Sequence, residues 1–115
     1  MVLSNAAQPS PENIQHTKWL AASISRAISD GDSIAHGCFG FLVGGRCKSE
    51  EFAGVVGKLV YHCQMGDTFD QALARFAEVF PRTFITGVRS AMLGEASSST
   101  LEEFLTSYAL SLIHI

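Results

Sequence analysis

The sequence predicts an all-α protein folded as a compact six-helix bundle, and three observations carry that expectation. Apolar residues recur three and four apart through most of the chain. Cap and stop residues punctuate these stretches. No segment alternates with period two for long enough to make a convincing strand. The chain has 115 residues, 47% apolar and 17% charged. Domains of about 100–150 residues are the commonest size and bury a core without staples, so one domain is expected and a second has no room.

Met1–Pro11 carries two prolines among small and polar residues and reads as a mobile lead. The domain boundary is drawn at 1–13 for this lead and 14–115 for a single helical unit, with the first helix spanning roughly Glu12–Ser29. Its stripe is Leu20, Ile24, Ala27 and Ile28, and Asp30-Gly31 suits a left-handed cap. Asp32 or Ser33 can cap a second helix with Ile34, Cys38, Phe41 and Leu42 inward, stopped by Gly44-Gly45. Gly37 and Gly40 each weaken this helix by about 1 kcal/mol relative to Ala, and close approach of a neighbouring helix is the expected compensation.

Ser49 can cap a third helix, with Glu50 and Glu51 favourably placed in its first turn and Phe52, Val56, Leu59 and Cys63 buried. Gly66 closes it. Thr68 with Gln71 forms a capping-box pattern opening a fourth helix, with Phe69, Leu73 and Phe76 inward. Pro81 ends that helix, since it lacks an N–H and disfavours helical geometry at Phe80. A fifth helix starts near Arg82 or Thr83 and runs through Ile85, Val88 and Met92 to Gly94-Glu95. Ser99 with Glu102, or Thr100 with Glu103, can cap the last helix. There Leu101, Leu105, Tyr108 and Leu112 face inward, and Glu102, Glu103, Thr106 and Ser107 face outward. The connections are short, as is usual in bundles.

The composition excludes several classes of function. A formal charge of −3 and a pI near 5.7 give no cationic field for phosphate backbones, so no nucleic-acid partner is expected. Mean hydropathy is +0.21, yet the longest apolar stretches, Cys38–Gly45 and Phe104–Ile115, fall short of the about 20 residues a spanning helix needs. Met1–Asn13 lacks the cationic start and apolar core of a secretory signal. The odd count of three cysteines fits a reducing compartment, and the cytosol is the simplest address.

Reactive chemistry finds no foothold in the motifs. Gly40 to Cys47 has the glycine spacing of a phosphate-binding loop, but Arg46 stands where Lys is needed and Cys47 where Ser or Thr is needed, and no strand precedes it. His62 and Cys63 are consecutive and therefore face different ways on a helix. No basic neighbour in sequence lowers the pKa of Cys38 or Cys63, which read as small buried hydrophobes. His36, Cys38, Cys47, His62 and Cys63 lack the paired spacings of a zinc site. Asp67 and Asp70 read as solvated surface charge rather than a cation site, and Trp19 as core rather than ligand cage. No enzyme, cofactor or metal site is expected; the residues describe a cytosolic helical interaction module.

Three motifs narrow that reading. Leu20-Ala21-Ala22-Ser23-Ile24 leads to Ser29-Asp30-Gly31-Asp32-Ser33-Ile34. Met65-Gly66-Asp67-Thr68-Phe69-Asp70-Gln71-Ala72-Leu73 is followed by Phe80-Pro81, and Ala91-Met92-Leu93-Gly94-Glu95-Ala96-Ser97 comes last. In this order, from Lys18 to Leu112, the chain resembles the cytoplasmic domain of the bacterial type II secretion system protein F family, which includes the type IV pilus inner-membrane platform proteins. It departs from the family at Asp32-Ser33, where a proline and an apolar residue are common. It departs again at Ser98, where the family has glycine, and at Leu101, which arrives one residue late. The matching positions are Gly31, Gly66, Ala72, Leu73, Phe80, Pro81, Gly94 and Glu95, with structural or interaction roles.

The resemblance implies a non-enzymatic scaffold or coupling domain on the cytoplasmic face of the bacterial inner membrane. The implied partners are a second copy, the secretion or pilus assembly ATPase and other inner-membrane assembly proteins. It further implies a domain excised from, or a truncation of, a parent anchored by membrane helices. The alternatives are a stand-alone helical adaptor, or a small thiol enzyme or ligand carrier with Cys63, His62 or Glu95 in a pocket.

Overall fold

In the computed structural model, residues 9–94 and 100–111 are described. Six helices follow one another: α1 (Pro11–Ser29), α2 (Ile34–Val43), α3 (Glu50–Gln64), α4 (Phe69–Ala74), α5 (Arg82–Leu93) and α6 (Leu101–Leu110). There is no strand among the described residues. The expected all-α six-helix architecture is therefore what the chain forms. Most of the lead, and with it Met1 to Gln8, lies outside the described residues, as do Glu95 and Leu112.

Local chemistry sets most helix ends. Helix α1 begins at Pro11 rather than Glu12, because the Ser10 hydroxyl accepts from the Asn13 N–H at 3.1 Å and a proline in the first turn lacks only an N–H that would stay unpaired there. The expected boundary between residues 13 and 14 thus falls inside the first helix. Ser33 caps α2, accepting from the His36 N–H at 3.0 Å. Ser49 caps α3 in the same way through Phe52, also at 3.0 Å. Thr100 and Glu103 form the reciprocal box that opens α6. Left-handed glycines follow α3 and α5, Gly66 at φ +116° and Gly94 at φ +71°, a conformation in which a Cβ would be strained.

Two expectations need correction. The fourth helix does not run up to Pro81; its regular part ends at Ala74. Beyond it the N–H groups of Phe76 and Val79 bond three residues back, to Leu73 and Phe76, each at 2.9 Å. These tightened turns carry Val79 and Phe80 inward, 6% and 0% exposed. Pro81 instead precedes α5, where its missing N–H costs nothing. The buried stripe of α5 is Phe84 and Val88 rather than Ile85, Val88 and Met92: Ile85 is half-buried and Met92 is 37% exposed. The helix is turned toward Phe84 because α6 lies against Gly87, where a Cβ would run into the Phe104 ring.

Each helix packs on its neighbours in sequence, and α6 returns to pack on α1, which is also the main support of α2. The radius of gyration is 13.5 Å, close to the about 13 Å of a compact 100-residue domain. Phe52, Phe80 and Phe84, each 0% exposed, form the centre. Phe52 touches His16, Phe41 and Phe80, while Phe80 reaches Phe84, which reaches Tyr108. The α1–α2 contact is close enough that a Cβ on Gly37 would lie 2.5 Å from the Ile24 Cα, the compensation expected for the α2 glycines. Ser23 donates to the Gly37 carbonyl across this contact at 2.7 Å.

Polar ties close the ring at α6. Ser25 and Thr106 share a hydrogen bond at 2.5 Å, so Thr106 faces α1 and not only solvent. The Lys18 ammonium, itself buried, donates to the Ser111 carbonyl at 2.6 Å. That places a cation at the C-terminal end of α6, where the helix dipole favours it.

Candidate functional site

The positions singled out by the resemblance are distributed through the fold and do not converge on a pocket. Gly31, at φ +85°, turns the chain after α1, with the Asp32 N–H bonded back to the Ala27 carbonyl at 2.8 Å. Gly66 and Gly94 occupy equivalent places after α3 and α5. Ala72, Leu73 and Phe80 are wholly buried, and Pro81 is buried beside them. All of these hold helices to one another. Glu95 lies outside the described residues.

The side chains left for contact are elsewhere. Helix α2 has the sequence IAHGCFGFLV, with no Asp, Glu, Lys or Arg and with His36 and Cys38 its ionisable residues. Cys38 and Phe41 face the core, while Phe39 is 52% and Val43 83% exposed. Phe39 and Val43 are one turn apart, and the exposed Gly40 and Gly44 lie beside them, so one uncharged strip runs along the outside of the helix. A helix apolar on every side normally sits inside a core; this one packs on α1 and α3 and leaves Phe39 and Val43 uncovered. At its far end His36 lies 3.6 Å from the Asp32 carboxylate, which precedes the helix. Periodicity alone missed Phe39 and Val43, because it marks an inward stripe without testing whether the outward one is polar; the absence of charge from Ile34 to Val43 was the signal.

Helices α2 and α3 also flank a narrow apolar cleft of about 280 Å³, lined by Ile34, Cys38, Leu59, Val60, Cys63 and Phe69 among others. Burial pushes the Cys38 thiol up to about 12, with Cys63 adding to the rise. Burial also raises Cys63, and the Asp67 carboxylate raises it further. Thiols so placed stay protonated at neutral pH and are poor nucleophiles. His62 turns away toward Tyr61, Phe76 and Asp67. The structure therefore does not assemble Cys63 and His62 into a thiol–imidazole pair.

Asp67 is instead a structural node. Arg75 donates to it from Nε at 2.7 Å, and His62 lies 4.0 Å away. The Arg75 hydrogen bond holds the Asp67 carboxyl below its usual range, helped by the charges of Arg75 and His62 and opposed by partial desolvation. Asp70 takes the Thr68 hydroxyl at 2.6 Å and faces Arg89 at 3.9 Å. Both carboxylates thus have organic partners, as surface charges do. Among the described residues, no three His, Cys, Asp or Glu side chains are grouped as metal ligands would be. Gly40, Phe41, Leu42 and Val43 lie within α2, so the glycine run before Arg46 has no strand–loop–helix geometry.

No helix among the described residues is long and apolar enough to cross a membrane. No protein-family model, curated protein or solved structure matches the chain.

Proposed function

We propose that this chain is a non-enzymatic scaffold and coupling domain of an inner-membrane platform protein in type II secretion or type IV pilus assembly. It sits on the cytoplasmic face of the bacterial inner membrane and associates with a second copy, with the assembly ATPase and with other inner-membrane assembly proteins. The observation that carries the coupling role is the outer strip of α2, where Phe39 and Val43 stand exposed on a helix with no Asp, Glu, Lys or Arg. Contiguous exposed apolar surface is what protein–protein interaction sites present.

The platform assignment rests on the sequence resemblance. It is supported by where the matching residues fall: the three glycines close α1, α3 and α5, Thr68 precedes α4, and Phe80-Pro81 leads into α5. These are the junctions that the ordered motifs imply.

Sedimentation of the chain, alone and with its cognate assembly ATPase, tests the reading. Concentration-dependent association is expected, and Val43→Glu should abolish it while helical circular dichroism is unchanged. A substitution at so exposed a site shifts stability by about 0.5 kcal/mol or less. A strict monomer with no affinity for the ATPase or for the membrane-side partner overturns it.

A further inference from the structure

A second surface feature is independent of the platform reading. Helix α1 carries Trp19, Ser23 and Arg26 along one stripe, and α2 crosses close above it at Gly37 and Gly40. After Val43 the chain turns through Gly44 and Gly45, the latter at φ +83°, and returns over α1. Arg46 then lies on the Trp19 ring, its guanidinium carbon 5.4 Å from the ring centroid. Between these elements is a notch of about 210 Å³ whose lining includes Trp19, Ser23, Arg26, Phe41, Gly44 and Arg46, and no acidic residue. Phe41, 4% exposed, belongs to the core beneath it. Trp19, read from the sequence as core, is half-buried: it packs against the core and also walls this notch.

No carboxylate among the described residues pairs with the charge in the notch. Arg75 and Arg89 face carboxylates, whereas neither Arg26 nor Arg46 is within ion-pair distance of any among the described residues. Two arginines thus line one small cavity in a chain whose net charge is −3. Each offers a planar fork of N–H donors matched to two oxygens of one anion. The stack on Trp19 holds one fork in place before any ligand arrives. Nearby, the C-terminal end of α2 carries partial negative charge, so an anion here depends on both arginines together. A volume below the about 300–1,000 Å³ of small-molecule sites admits a head group rather than a whole ligand. Two positive charges balance one dianion, whereas a single carboxylate leaves a guanidinium unmatched.

We propose that the notch of Trp19, Arg26 and Arg46 binds a phosphate dianion, supplied free in solution or as the monoester head group of a lipid. Trp19 is the only tryptophan, so its emission reports occupancy directly. Titration of the chain with inorganic phosphate at constant ionic strength is expected to change that emission saturably, with acetate at least about tenfold weaker. Arg26→Gln and Arg46→Gln should each weaken the response by about tenfold or more, the loss of one charge-assisted forked contact.

Arg46→Lys keeps the charge but not the fork and should fall between wild type and Arg46→Gln. Arg26→Gln leaves the stack on Trp19 intact, and so separates loss of the site from loss of the turn. In the lipid arm, phosphatidic acid vesicles are compared with phosphatidylcholine vesicles. Arginine-dependent binding to the former without a response to inorganic phosphate assigns the lipid source, and a response to inorganic phosphate assigns the free one. No response to either, or responses unchanged in both glutamine variants, overturns the proposal.

Discussion

Asp67 receives the Arg75 guanidinium at the junction between α3 and α4, two residues before α4 begins. That contact holds its carboxyl below the ordinary value, first through the hydrogen bond and then through charge. A carboxylate with a depressed folded-state pKa stabilises the fold above its unfolded pKa of about 3.9, and the contribution is lost as pH falls through the lower, folded value. Arg75→Gln should therefore be less stable than wild type at neutral pH, and the gap should close on acidification below about pH 4. Urea midpoints measured across that window check it. A gap that persists at low pH would locate the effect in packing of the arginine stem. The Asp67 carboxyl, followed by NMR, should also return upward toward its usual value in this variant. Arg75 is about half exposed, so the effect belongs with the small contributions of surface pairs.

Gly37 and Gly54 separate the two reasons for a glycine within a helix. On Gly37 a Cβ would meet the Ile24 backbone at 2.5 Å, whereas on Gly54 it would meet nothing within 4 Å. Gly37→Ala must push α2 off α1 and should cost about 1–3 kcal/mol as an overpacked core does. Gly54→Ala should instead stabilise α3 by about 0.5–1 kcal/mol, and denaturant unfolding of the pair should give shifts of opposite sign. Expectation and structure agree at the helix ends for the same reason that such changes can be reasoned locally. The Ser33, Ser49 and Thr100 caps are satisfied by N–H groups within three residues, a span over which sequence is sufficient. They part where a distant element decides. The inward side of α5 depends on Phe104 lying over Gly87, and the early end of α4 on Val79 and Phe80 reaching the core through tight turns. The candidate site was half legible: the lack of charge in α2 is local, but which of its apolar sides meets α1 is not. The pairing of Arg46 with Trp19 needs the chain to reverse after Gly45 and bring two distant segments together.

At the scale of the whole molecule, the aromatic chain through the centre makes the bundle one cooperative unit. Phe80 lies in the connection between α4 and α5, yet its ring stands 5.5 Å from Phe52 of α3 and 6.2 Å from Phe84 of α5. Phe52 continues to His16 of α1 and Phe41 of α2, and Phe84 to Tyr108 of α6. Removing the Phe80 ring thus takes a direct neighbour from Phe52 and Phe84 and breaks the chain of rings that links five helices, although Phe80 itself belongs to none of them. Phe80→Ala should cost about 3–5 kcal/mol, the range for a fully buried aromatic whose cavity cannot collapse freely. That is a large share of the about 5–15 kcal/mol that stabilises an ordinary domain. Because the ring is shared among helices, the loss should lower a single transition rather than release one helix. Circular dichroism, which follows every helix, and Trp19 fluorescence, which follows α1, should therefore give coincident urea curves in wild type and variant alike. A cost below about 1 kcal/mol would deny Phe80 its central place, and separated curves would mean that α1 with its α2 and α6 contacts unfolds apart from the rest.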